Sequence, residues 1–136
     1  MGQSAPLHRH PVLVIEDEPV LRVDVIAMVE EAGFEAIEAT SADDAIALLA
    51  SRPDIRIVYM DLDMPRGIKG IEVAAAIRDR WPPIEIILTA AFHTRDEVTL
   101  PHRAEFYPKP YSRPEIVAAI RRLGRATAGE PSRPNA

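Results

Sequence analysis

The 136-residue sequence predicts an α/β fold built on a doubly wound parallel sheet. Three observations lead there. Short β-branched runs alternate strictly with longer stretches of helical period. The chain has the length of one ordinary domain, enough for a sheet covered on both faces and too short for two cores. Acids, a hydroxyl and an amine follow the ends of separate apolar runs, where open parallel sheets gather their ligands.

Five strands are expected, at residues 12–15, 34–39, 55–60, 84–88 and 106–107. After the first, Leu21, Val25, Met28, Val29 and Ala32 recur at helical spacing, with Pro19 at the start and Gly33 as the stop. Ser41 and Asp44 open a second helix that runs through Leu49. Gly70 leads into a third, carrying Ile71, Ala74, Ala75 and Ile77. Residues 92–104 offer only Val98 and Leu100 as apolar anchors, and Pro101 falls among them, so a fourth helix is expected to be short or irregular. Ser112, Pro114 and Glu115 read as a capping-box start for a last helix, running to about Leu123 with Gly124 as its stop.

The domain is expected to span residues 11–124, after a flexible lead-in at 1–10. Residues 125–136, with Thr127, Gly129, Pro131, Ser132 and Pro134, show no apolar period and are expected to form a disordered tail. No output domain is expected within this length.

Composition narrows the function. Asp and Glu number 21 against 16 Lys and Arg, a net charge of -5, which disfavours direct nucleic-acid binding. No apolar run approaches the roughly 20 residues that span a bilayer, and the first ten residues lack the apolar stretch of a signal peptide. With no cysteine there are no disulfides and no thiolate chemistry, which suits a cytoplasmic protein. Chemistry falls to carboxylates, hydroxyls, His or Lys.

Glu16 and Asp17 follow the first run, Asp61 the third, Thr89 the fourth and Lys109 the fifth. Each alone would pass as a helix N-terminal acid, a loop carboxylate, a strand threonine or a surface lysine. Together, four strand ends supply complementary groups to one edge. Gathering three acids raises at least one pKa unless a cation offsets the repulsion, and a hard divalent metal answers that need with oxygen ligands. With Lys109 and Thr89 added, the set suits phosphoryl transfer onto a carboxylate, and Asp61, between the acid pair and Thr89, is the natural nucleophile.

At these residues the sequence resembles the receiver domain of two-component response regulators, over about residues 11–123. The run Val12-Leu13-Val14-Ile15-Glu16-Asp17-Glu18-Pro19 resembles the family's first strand and acidic pair. Asp61-Leu62-Asp63-Met64-Pro65, followed by Gly67 and Gly70, resembles its phosphoacceptor loop. Leu88-Thr89-Ala90 matches the switch hydroxyl and the small residue that leaves room for the phosphoryl group, and Lys109-Pro110-Tyr111 the lysine, proline and aromatic signature.

The resemblance implies a flavodoxin-like sheet in the order 2-1-3-4-5. It implies that Asp61 is phosphorylated by a sensor histidine kinase or histidine phosphotransfer protein. Mg2+ (or Mn2+) would be held by Asp17, Asp61 and the backbone carbonyl of Asp63, with Glu16 acting through a bound water. Thr89 would turn toward the phosphoryl oxygens, Phe106 would be the inward-moving aromatic, and Lys109-Pro110 would be cis. Autophosphatase activity is implied, with lifetime tuned by Asp63 and Ala91. Lys69 departs from the acid common before the helix-starting glycine. The family's usual homodimer and output face surrounds the fourth helix and fifth strand, so a short helix there would alter it. As a stand-alone receiver the chain would act as a phosphate shuttle or sink, or bind a downstream protein according to its phosphorylation.

Projection of the first helix puts Leu21, Val25 and Met28 on the core stripe and leaves Val23 and Ile26 outward. With Val20 they are expected to dock the histidine-bearing helices of the kinase. Asp61-Leu62-Asp63 also resembles the two-aspartate motif of haloacid-dehalogenase-like phosphotransferases. That motif normally follows the first strand, not the third. A phosphorylation-independent pseudo-receiver is the other alternative, weakened by the complete residue set.

Overall fold

A computed structural model of the chain describes residues 11–63, 70–91, 100–128 and 132–133. Five strands, β1 (Val12–Ile15), β2 (Ala36–Ala39), β3 (Ile57–Asp61), β4 (Glu85–Ala90) and β5 (Ala104–Pro108), form one sheet in the order β2-β1-β3-β4-β5. All neighbouring pairs are parallel. The helices among the described residues are α1 (Pro19–Glu31), α2 (Ala42–Ser51), α3 (Gly70–Arg80) and α4 (Arg113–Thr127). This is the doubly wound parallel sheet that the sequence predicts, in the flavodoxin-like order that the resemblance implies.

The near-continuous apolar runs of β1, β3 and β4 follow from burial on both faces of a parallel sheet. Alternate side chains serve opposite cores. Leu13, Ile15, Val58, Met60, Ile86 and Leu88 pack with Ala45, Leu49, Ala74 and Ile77 from α2 and α3. Val12, Val14, Ile57, Tyr59 and Ile87 pack with Val25, Met28 and Val29 from α1 and with Ile116, Ile120 and Leu123 from α4. Each fully buried aliphatic side chain stabilises the fold by about 1.5–3 kcal/mol.

Local signals set the helix starts. The Glu18 carboxylate accepts from Leu21 N at 2.8 Å, and Ser41 Oγ accepts from Asp44 N at 3.0 Å. Gly33, at φ 94°, supplies the left-handed turn that ends α1. Ser112 caps α4 without its side chain, so the expected capping box does not form there; its carbonyl accepts from Glu115 N at 3.0 Å.

Several boundaries differ from expectation. Thr89 and Ala90 lie inside β4, because pairing with β3 and β5 carries the ladder past Leu88. Phe34 lies outside β2 and packs on α4. Gly124 does not stop α4, which runs on to Thr127. A Cβ at position 124 would lie 2.0 Å from the Phe34 ring, so this glycine serves close packing. The expectation of a disordered tail from residue 125 is corrected at several positions. Thr127 is buried and donates to the Leu123 carbonyl at 3.1 Å. Arg133 is only 4% exposed, donating to the carbonyls of Ile55, Leu49 and Arg52 at 2.6–2.8 Å and lying over the Trp81 ring. The lead-in and the expected short fourth helix fall largely outside the described residues.

Candidate functional site

Parallel strands bring Glu16, Asp17, Asp61, Thr89 and Lys109 to the carboxyl edge of the sheet. Asp61 is the last residue of β3 and pairs in register with Thr89. Its side chain is 3% exposed, with Oδ2 2.7 Å from Lys109 Nζ and Oδ1 accepting from Asp63 N at 2.8 Å. Lys109 Nζ also lies 4.0 Å from Asp63 Oδ2, and that same oxygen accepts from Ala91 N. The loops after β3, β4 and β5 are thus tied together through carboxylates.

Glu16 is 2% exposed. Burial, then a hydrogen bond and charge repulsion from Asp61, push its carboxyl up to about 8. Its Oε2 accepts from Glu18 N at 3.2 Å, and its carbonyl accepts from Arg22 Nη1 at 3.0 Å. Arg22 also bonds Glu38 at 3.1 Å, fixing the loop after β1 against β2.

Both carboxylate oxygens of Asp17 are shielded from solvent and have no hydrogen-bond partner. A buried carboxylate without donors is costly unless a cation compensates it. Among the described residues no three His, Cys, Asp or Glu side chains form a complete cation cage. The expected set uses carboxylates of Asp17 and Asp61 with a backbone carbonyl, and the unpartnered Asp17 oxygens fit such a hard cation.

The remaining candidates fall as follows. Phe106 is 1% exposed and lies in the core beneath α2 and α3, paired with Leu88. Ala90 is fully buried in that same core. Gly70 opens α3 where a Cβ would lie 2.8 Å from Leu62 Cδ2, so the glycine lets the helix start against the residue after Asp61. Lys109-Pro110 is cis. Pro65 and Lys69 lie outside the described residues.

On α1, Val20 and Val23 are 74% and 67% exposed, as expected. Leu21 is corrected from core to surface at 43% exposed, and Ile26 from exposed to partly covered. The first turn of α1 begins at the carboxyl edge, beyond the last residue of β1, so Leu21 has little sheet to pack on.

Sequence reasoning missed two features. One is Arg22. The other is Tyr59, whose hydroxyl lies 3.2 Å from Thr89 Oγ1 and donates to Tyr111 Oη at 3.3 Å. The signal was its place two residues before Asp61, on the same strand face, where a phenol in a buried run needs a partner.

The family model for the response regulator receiver domain matches residues 12–121, and the chain belongs to that family. The matched domain is the receiver of two-component response regulators. The transcriptional regulatory protein PdtaR of Mycobacterium tuberculosis is 35% identical over 114 residues, covering 80% of this chain and 54% of its own. The chain spans about half the length of the curated relatives it matches. A response regulator receiver protein from Sinorhizobium medicae superposes with a TM-score of 0.75 at 25% identity, over 88% of this chain and 98% of its own. The receiver of a Saccharomyces cerevisiae response regulator, crystallised with a histidine phosphotransfer signaling protein, superposes at 0.72 with 18% identity, over 93% and 94%. Among the described residues no helix is long and apolar enough to cross a membrane.

Proposed function

We propose that Asp61 accepts a phosphoryl group from a phosphohistidine on a sensor kinase or histidine phosphotransfer protein. A carboxylate oxygen attacks phosphorus, the nitrogen–phosphorus bond breaks, and the imidazole leaves with a proton. The observation that carries this reading is the Asp61 carboxylate, buried at a strand end, 2.7 Å from the Lys109 ammonium and in register with Thr89. Lys109 neutralises charge on the transferred oxygens, and the Thr89 hydroxyl donates to one of them.

Asp17, Asp61 and the Asp63 carbonyl would hold Mg2+ or Mn2+. Such a cation supplies positive charge to the phosphoryl oxygens when bound. The exposed Val20, Leu21 and Val23 beside the site would seat the donor's helices. Hydrolysis of the acyl-phosphate would return Asp61 to its resting state, with the Asp63 carboxylate beside the path of the attacking water. Signalling would then proceed through protein contacts or onward phosphoryl transfer.

Incubation with magnesium and a small acyl-phosphate donor tests the reading. One phosphoryl group should be gained and then lost on treatment with hydroxylamine, which cleaves acyl-phosphates. A hydroxylamine-resistant adduct would point to a different acceptor and sink the assignment.

A further inference from the structure

We propose that Tyr59 is a positioning residue that holds the Thr89 hydroxyl in the resting protein and links its state to Tyr111, on the side of the sheet covered by α1 and α4. The proposal rests on the reading of Thr89 as the phosphoryl-responsive hydroxyl. Tyr59 is 1% exposed and Thr89 fully buried, so neither hydroxyl has bulk water as an alternative partner.

The protons along this chain can be assigned. The Tyr59 phenol has one proton to give and can also accept. The 3.3 Å contact gives that proton to Tyr111 Oη. At the 3.2 Å contact Tyr59 is therefore left to accept, and Thr89 donates. The resting order is Thr89 to Tyr59 to Tyr111.

Thr89 has one hydroxyl proton and cannot give it both to Tyr59 and to a phosphoryl oxygen on Asp61. Capture by the phosphoryl group breaks the Thr89–Tyr59 bond and leaves the buried Tyr59 oxygen short of a donor. The Tyr59–Tyr111 pair must then rearrange, by proton reversal or by movement of Tyr111. Tyr111 is partly buried, follows the cis Lys109-Pro110 bond, and packs on the core shared by α1 and α4. Phe106 lies in the opposite core, beneath α2 and α3. The two aromatics on either side of the sheet thus give Thr89 two outlets, and the hydroxyl chain is the one leading to the α1 and α4 face.

The test uses the full chain with labelled threonine methyls and tyrosine rings, observed by NMR. In the resting protein Thr89→Val should move the Tyr111 ring signals, and the same change in a Tyr59→Phe background should move them less by about fivefold or more. Equal movement in both backgrounds would overturn the proposal. With magnesium and acetyl phosphate at matched Asp61 occupancy, read by intact mass, the Tyr111 response should likewise collapse in Tyr59→Phe while the Thr89 response persists. An undiminished Tyr111 response there would contradict it as well. Absence of any mass gain would defeat the phosphoacceptor reading, and the resting comparison would still decide the hydroxyl chain. Should Tyr59→Phe not fold, Tyr111→Phe takes its place: the resting Thr89 methyl signal should shift, and an unmoved signal would overturn the proposal.

Discussion

The Lys109 ammonium stands 2.7 Å from Asp61 and 4.0 Å from Asp63, so one cation from the loop after β5 serves both the acid that ends β3 and the acid of the loop that follows. Replacing it with methionine removes a fixed positive group from around the transferred oxygens. Phosphoryl uptake by Lys109→Met from a small acyl-phosphate should fall about 100-fold, measured by intact mass against time. A rate within a few fold of wild type would remove Lys109 from the chemistry.

Asp17, which follows Glu16 in the loop after β1, contributes two buried, unpartnered carboxylate oxygens. Without a divalent cation, Asp17→Asn removes a buried, uncompensated charge and should raise the melting temperature by about 3 °C, near what 1 kcal/mol does for a domain of this size. Added magnesium should stabilise wild type and leave the variant almost unmoved. Equal magnesium stabilisation of both proteins would argue against cation binding through Asp17.

On β5, Glu105 pairs with Arg122 of α4 through two bonds of 2.7 and 2.8 Å. Chiefly the Arg122 bond holds the Glu105 carboxyl below its ordinary 4.5. Its folded pKa is depressed, so the pair's contribution is fully present above the unfolded value and is lost as pH falls below about 4.5. Because both side chains are partly exposed, Glu105→Gln should cost only about 0.5–1 kcal/mol at pH 7, with the difference from wild type closing under acid. Urea titrations across pH check this, and a difference that grows under acid would contradict it.

The apolar first turn of α1 gives a separable prediction about the donor. Val23→Glu should slow transfer from a phosphorylated histidine protein about tenfold or more, since it buries a charge in a contact. Labelling by a small acyl-phosphate should be unchanged. Equal loss with both donors would place the defect in the site and not in docking.

Much of this was legible in the sequence because it rests on periodicity and strand ends. Period-2 burial with two covered faces writes β1, β3 and β4 as apolar runs, and the polar residue ending each run marks the site edge. Asp61, Thr89 and Lys109 therefore come together where expected. The misplacements have a common origin in tertiary packing. Gly124 carries the local signature of a helix stop, yet its lack of a side chain is used by Phe34, 90 positions away in sequence. Leu21 lies on the apolar stripe of α1, but one turn beyond the sheet that would cover it. Arg133 sits in a polar, proline-containing stretch, and its guanidinium finds its partners only through the fold, at the carbonyls of Leu49, Arg52 and Ile55. Tyr59 reads as one more apolar strand residue until Thr89 and Tyr111 are seen beside its hydroxyl.

The phosphoacceptor itself is tested most directly by intact mass. Wild type and Asp61→Asn, each incubated with magnesium and a small acyl-phosphate donor, should differ: wild type gains one phosphoryl group and the variant gains none. Phosphorylation of Asp61→Asn to the same extent as wild type would contradict the account.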